Sequence, residues 1–286
     1  MASEPALGAD WLAFSRRATE AGRAALERFP KRADRAHRLG RGEGGDMTLA
    51  IDGAVEDAIF AELESFGVGV CVLSEERGLV EIAGGGPVRL VIDPIDGSLN
   101  AKRRLPLYSI SIAVAGGEDM DAVEFAYVAD FATDGEEWWA RRGEGAWRGG
   151  ERIEIGATDH GLEILGVESA HPWLVSVHAD ALAETEAARM RMLGSVALSL
   201  CYVASARFDG LISLRPVRSV DVAAGQLIVR EAGGRVAFPD ADDGTGSPGL
   251  GLDMRSRVVA GSSDAVQELL LGTAAKVREQ FRRAHS

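Results

Sequence analysis

Apolar positions along the chain fall into two rhythms, one helical and one strand-like. Trp11, Phe14, Ala18, Ala21, Ala25 and Phe29 recur at near-helical spacing, which predicts an amphipathic helix over residues 10–29 that Pro30 stops. Ile51, Val55, Ala58, Ile59 and Leu63 form one apolar face and predict a second helix from Asp46, capped by Asp46 or Thr48. The basic, glycine-rich stretch 31–45 between them reads as a loop, either a lid over a site or a plain linker. Short apolar runs predict strands at 68–73, 88–92, 123–128 and 137–140, and residues 108–114 alternate as a half-buried strand does. Residues 143–150 read as a glycine-built hairpin.

Beyond residue 150 the rhythm changes to strand and helix in turn. Strands are predicted at 162–167, 190–194, 211–214 and 258–260. Helices are predicted at 177–189 and 195–206, from Asp221 to the Gly233-Gly234 stop, and from Ser263 or Asp264 towards residue 283. Helices followed by a meander, then alternating elements, give an α+β / α/β chain with a soft boundary near residue 150, separating halves 1–150 and 151–286.

The chemistry concentrates where apolar strands end. One strand runs into Asp93-Pro94-Ile95-Asp96-Gly97-Ser98, with Pro94 ending the ladder, and another runs into Ser74-Glu75-Glu76. Taken alone, the first of these is as well explained by an Asp-Pro, Asp-Gly turn as by a metal site. Asp52 alone suits the first turn of a helix, and Asp221 alone suits an N-cap. Together Glu75, Asp93, Asp96 and Asp221 are four acids at the ends of apolar elements with no histidine beside them in sequence. Such hard oxygen donors favour Mg²⁺ over Zn²⁺. Paired ions of that kind clamp a phosphate and lower the pKa of water enough to make a nucleophile near neutral pH. Gly97 and Ser98, opening a short helix, turn backbone N–H groups towards the phosphate, and Ser98 with Asp52 can orient the attacking water. Phosphomonoester hydrolysis fits. A covalent aspartyl route fits less well, because Asp93 and Asp96 are three apart with Pro94 between them rather than two apart. His37, His160, His171, His178 and His285 flank no motif of a histidine nucleophile.

Composition narrows the partners. A net charge of −13, from 31 basic and 44 acidic side chains in 286 residues, argues against nonspecific grip on nucleic acid or anionic lipid. No apolar run reaches the roughly 18 residues a membrane span needs. Residues 1–10 lack the basic start and apolar core of a signal peptide, so a cytoplasmic protein is expected. Cys71 and Cys201 have no metal-ligand spacing and are expected to be reduced, buried thiols.

Three separated stretches carry a resemblance. The run from Asp93 to Ser98, Ser74-Glu75-Glu76, and Asp221-Val222-Ala223-Ala224-Gly225 with the trailing Glu231-Ala232-Gly233-Gly234 resemble the motifs of the inositol monophosphatase family. Asp46-Met47-Thr48 with Asp52, and Gly143-Glu144-Gly145-Ala146, fall in that family's order, so the resemblance spans most of the chain. It implies a layered αβαβα sandwich, usually a homodimer, acting on small phosphorylated polyols or sugars with two or three Mg²⁺ ions and inhibited by Li⁺. By the same resemblance the metal ligands fall on Glu75, Asp93, the Ile95 carbonyl, Asp96 and Asp221. The catalytic groups fall on Ser98, Asp52 and Glu75, the phosphate cradle on Gly97 and Ser98, and a substrate-contacting turn on Gly194-Ser195-Val196.

Two departures bear on substrate. Ser213-Leu214-Arg215-Pro216 stands where inositol-specialised members carry a glutamate, and Asn100-Ala101 followed by Lys102-Arg103-Arg104 replaces the usual Asn-Phe. This is more similar to archaeal-type enzymes that hydrolyse both inositol monophosphate and fructose 1,6-bisphosphate. Arg215 or Arg104 then receives a second phosphate, or each is a surface arginine. A nucleotide 3′-phosphatase, an NADP phosphatase and a silent metal-binding homologue are the other readings. The intact acid set speaks against silence, since four mutually repelling carboxylates need a reason to be together.

Overall fold

The computed structural model describes residues 4–43, 47–132, 135–156, 161–169, 171–241 and 247–284. The chain opens with α1 (Glu4–Leu7) and α2 (Trp11–Glu27), the latter capped by Asp10, whose carboxylate accepts from Ala13 N at 3.0 Å. The stretch expected to be a loop is instead a short helix α3 (Arg32–Arg35) and a small hairpin of β1 (Arg38–Arg41) and β2 (Met47–Leu49). Asp46 lies outside the described residues. Thr48 does not cap the helix that follows, because its hydroxyl goes to the Glu76 carboxylate. Helix α4 (Ala50–Phe66) begins after Leu49, whose amide is met by Asp52 Oδ2 at 2.9 Å.

Next come β3 (Val70–Ser74), β4 (Gly78–Ile82), β5 (Arg89–Asp96), α5 (Ser98–Arg103), β6 (Ser109–Ala115), β7 (Val123–Asp130), β8 (Glu137–Arg141), β9 (Gly145–Arg148) and β10 (Glu151–Ile153). They form an eight-stranded sheet in the order β10-β9-β8-β7-β6-β5-β3-β4, antiparallel everywhere except between β3 and β5. The remainder is β11 (Ile164–Glu168), α6 (Pro172–Val177), α7 (Ala179–Ala183), β12 (Arg189–Arg191), α8 (Val196–Ala204), β13 (Gly210–Ser213), α9 (Ser219–Glu231), β14 (Arg235–Ala237), β15 (Val259–Gly261) and α10 (Asp264–Ala284). Its strands make a second sheet, β12-β11-β13-β15-β14. Of the helix expected over 177–189 only the short α7 forms, preceded by α6, and it ends at Ala183, because Thr185 turns its hydroxyl back to Leu182 O and Glu186 takes a left-handed backbone (φ 55°).

Alternation along the strands assigns three cores. Val72, Leu90, Ile92, Ile110 and Ile112 pack on α2 and α4, while Leu73, Val91, Ala113 and Val128 pack on α8 and α9. In the second sheet Leu211 and Ala260 face that same helix pair, whereas Ile212 and Val259 face α6, α7 and α10. The layers are therefore αβαβα. Strand β6, expected to be half-buried, is buried at every position because helices cover both faces. The middle layer is thin: a Cβ on Gly225 of α9 would lie 2.6 Å from Leu200 of α8, so only glycine permits their approach. Both cysteines are free, Cys201 buried and Cys71, contrary to expectation, only half-buried on β3.

Candidate active site

The parallel pair β3 and β5 puts two acids side by side. With Ser74 in register with Ile92, the last pair between the two strands, Glu75 and Asp93 follow side by side. Asp96 would face away from Asp93 in a regular strand, since residues three apart point to opposite faces. A register shift against β6, where Asp93 pairs with Ser111 but Asp96 with Ser109, inserts the extra residue that brings them together. Gly97 then takes φ 93°, and a Cβ there would lie 3.0 Å from Gly194 O, so the turn into α5 needs glycine. Ser98 donates to Ile95 O at 3.0 Å.

From the other layers, α9 brings Asp221 and α4 brings Asp52. Asp52, Glu75, Glu76, Asp93, Ile95, Asp96, Gly97, Ser98, Arg218 and Asp221 line one cavity of about 250 Å³. An adjoining cavity of about 450 Å³ shares Asp96, Arg218 and Asp221 and adds Ser169, His171, Val196, Arg215 and Arg255. Of the turn 194–196, only Val196 lines either of these two cavities. Ser195 acts on Asp96, donating to its Oδ2 at 2.5 Å beside Ala197 N at 2.7 Å, and Gly194 N goes to Glu168 at 3.1 Å. Arg215 lies 3.3 Å from His171 Nε2 in the larger cavity, whereas Arg104 is turned away and donates to Pro30 O at 2.9 Å.

Burial governs the electrostatics. It raises the Asp93 carboxyl well above the usual range, helped by Glu75, Asp96 and Asp221. Glu75 is pushed up to about 8, by burial first, with Arg218 pulling it back and Asp221 and Glu76 opposing. Asp96 rises to about 7 through burial and Asp221, against the bonds from Ser195 and Ala197 N. Asp52 rises to about 7 through burial, tempered by the Leu49 amide and, more weakly, by the nearby Ser98 hydroxyl. The proposed Ser98–Asp52 hydrogen bond is not formed in ordinary geometry, since Ser98 goes to Ile95 O and buried Asp52 Oδ1 has no hydrogen-bond partner among the described residues.

Arg218 was not anticipated as part of this site. Its guanidinium lies 2.7 Å from Glu75 Oε1 and 3.4 Å from Asp221 Oδ1, while its amide donates to Asp221 Oδ2 at 2.8 Å. Among the described residues no three carboxylate, imidazole or thiolate groups converge on one point as a ready-made cation cage. The donor set nonetheless fits a hard divalent cation: it is all oxygen, buried, and protonated far too easily for want of positive charge. Glu168 was also missed. It accepts from Ser199 Oγ at 2.6 Å and Leu193 N at 3.0 Å, and its position at the end of an apolar strand was the signal that found Glu75 and Asp93.

The family model described as the inositol monophosphatase family matches residues 11–280. The chain belongs to the inositol monophosphatase family. It is therefore a phosphatase that hydrolyses phosphoric monoesters, in a family that is generally metal-dependent. This inositol monophosphatase family member is 34% identical over 253 residues to a fructose-1,6-bisphosphatase/inositol-1-monophosphatase of Methanothermobacter thermautotrophicus, covering 81% of this chain and 85% of that one. Its counterpart in Archaeoglobus fulgidus is 33% identical over 264 residues, 91% of this chain and 97% of that one. Among solved structures, a Thermotoga maritima IMPase superposes with a TM-score of 0.76 at 26% identity, over 95% of this chain and 99% of that one.

Proposed function

We propose that this phosphatase hydrolyses small phosphorylated polyols or sugars, inositol monophosphate and fructose 1,6-bisphosphate among them, with Mg²⁺ as cofactor and water as nucleophile. The observation that carries the reading is the convergence of Glu75, Asp93, Asp96 and Asp221 with Asp52 and Ser98 around one cavity. Glu75, Asp93, Asp96, Asp221 and the Ile95 carbonyl would hold the two or three ions. When bound, Mg²⁺ neutralises these carboxylates, polarises the phosphate and acidifies a water. Asp52, with a pKa of about 7 and its Oδ1 open, is the base near neutral pH. Ser98 leaves Ile95 O to carry the water's proton to it, while the backbone at Gly97 and Ser98 receives the phosphate oxygens. The water oxygen bonds to phosphorus as the bond to the alcohol oxygen breaks, and the departing oxygen takes a proton from solvent to leave as the alcohol.

The adjoining cavity supports a bisphosphate among the substrates. Arg215 and Arg255 line it next to Asp96 and Asp221, so a second phosphate has cations within reach while the first lies on the acids. Val196 contributes its wall. Nucleotide 3′-phosphates and NADP share the same phosphate chemistry and are the second reading. We take the protein to be a cytoplasmic homodimer, acting on neither nucleic acid nor membrane. The charge of −13 speaks against a grip on nucleic acid or anionic lipid, and no described helix is long and apolar enough to cross a membrane.

Phosphate release from inositol 1-phosphate, fructose 1,6-bisphosphate, 3′-phosphoadenosine 5′-phosphate and NADP, with and without Mg²⁺ and with Li⁺ added, tests the proposal. Release from the first two, dependent on Mg²⁺ and suppressed by Li⁺, is expected. Turnover indifferent to chelation would sink it. Ser98→Ala is expected to lower kcat roughly 10²-fold with the fold intact, and an unchanged rate removes the proton path through Ser98. Light scattering reads the oligomer.

A further inference from the structure

Arg218 occupies the place where the chemistry asks for a cation. It precedes α9, with its side chain only 15% exposed, and its guanidinium bridges Glu75 at the end of β3 to Asp221 on α9. One side chain thus ties the first sheet to the middle helix layer across two carboxylates. Without it, burying Glu75 and Asp221 together would set like charges against each other with little solvent to screen them.

The bridge is incompatible with a divalent ion on the same oxygens. With Arg218 Nη1 2.7 Å from Glu75 Oε1, the guanidinium occupies the space beside that oxygen that a cation would take. Two cations sharing so small a space also repel. The larger cavity, which Arg218 also lines, gives the side chain room to withdraw while its backbone amide stays on Asp221.

We propose that Arg218 is a displaceable internal counter-ion. It holds Glu75 to Asp221 while no divalent cation is bound and yields those oxygens when one arrives, so that it sets the threshold concentration at which the site fills. The inference rests on the reading of Glu75 and Asp221 as metal ligands. It makes Arg218 a positioning residue whose removal tightens metal binding, the opposite of what a substrate-binding arginine does.

The test is Mn²⁺ binding to the full-length protein, measured by equilibrium dialysis for wild type, Arg218→Met and Asp221→Asn, with melting temperatures in chelator and in saturating Mn²⁺. Arg218→Met is expected to bind Mn²⁺ roughly tenfold more tightly than wild type or better. It should melt below wild type in chelator and catch up in Mn²⁺. Asp221→Asn is expected to bind more weakly. Arg218→Gln, which keeps donors for both carboxylates but no charge, should show the same tightening should Arg218→Met fail to fold in chelator. An affinity for Mn²⁺ unchanged in Arg218→Met or Arg218→Gln, alongside weakened binding in Asp221→Asn, overturns the counter-ion and leaves the metal reading standing. Mn²⁺ binding to neither wild type nor variants, or undiminished binding in Asp221→Asn, overturns the metal reading and the counter-ion with it.

Discussion

Glu168, at the end of β11, and Asp93, at the bulge of β5, are both buried carboxylates, 3% and 2% exposed, and burial raises the pKa of both. Their company differs. Glu168 accepts from Ser199 Oγ and from the amides of Leu193 and Gly194, a full set of donors that anchors the turn before α8. Among the described residues Asp93 accepts from a single amide, Ile95 N at 3.0 Å, and otherwise feels Glu75, Asp96 and Asp221, with Arg218 pulling the other way. Equal burial thus produces a structural pin in one place and, in the other, a cluster of acids with Arg218 as its nearby cation. A buried acid supplied with donors is part of the fold, whereas one supplied with other acids awaits a cation.

Four substitutions or conditions put this contrast under pressure. The largest effect is expected from Asp93→Asn: Mg²⁺-dependent phosphate release falls roughly 10²–10⁴-fold. Its melting temperature in chelator nevertheless holds or rises, because a carboxyl that must take up a proton to be buried there has gone. A clear loss of stability there would erase the difference between the two sites. Glu168→Ala should do the reverse, lowering the melting temperature with or without Mg²⁺, since each buried amide left without an acceptor costs about 1–3 kcal/mol. A variant as stable as wild type would show that Glu168 pins nothing.

The pH dependence follows from the raised carboxylates. Asp52 and Asp96, at about 7, and Glu75, at about 8, lie above the values near 4 that they have unfolded. The metal-free folded state therefore retains protons that the unfolded chain has released. Stability is highest on the acid side and is lost as pH rises through about 7 to 8. Thermal scans in chelator should show the melting temperature falling between about pH 5.5 and pH 8.5, and Mg²⁺ should remove most of the fall. A flat profile in chelator would contradict the charge cluster. The smallest change is expected from Ser195→Ala. Losing the bond that lowers Asp96 raises that carboxyl further, and the acid limb of the pH–rate profile moves up by less than about one unit.

The residues that were legible in sequence share a local signature. Glu75, Asp93 and Asp96 follow apolar runs that stop abruptly, and Asp52 and Asp221 sit in first turns of helices, so one-dimensional pattern located all five. Arg218 had no such mark. Three residues before Asp221 it resembles a surface arginine, and only the approach of β3 to α9 makes it a partner of Glu75. Glu168 carried the signature but followed a strand with no recognisable motif after it. Among the elements, β4 escaped because it exposes Leu79 at the sheet edge and buries only its two ends, so its pattern lacks a period. The hairpin of β1 and β2 escaped because pairing, not apolar alternation, defines it.

The bond from Ser195 to Asp96 closes 99 residues of chain, and Asp221 comes later still. On a ribosome adding roughly 5–20 residues per second, the Asp96 carboxylate waits several seconds or longer for its partners to emerge. During that interval the acids remain in water, where like charges lie close at little cost. The repulsion is imposed only when α8 and α9 dock, so the closing of the middle layer is the step in biosynthesis at which divalent cations begin to favour the native state.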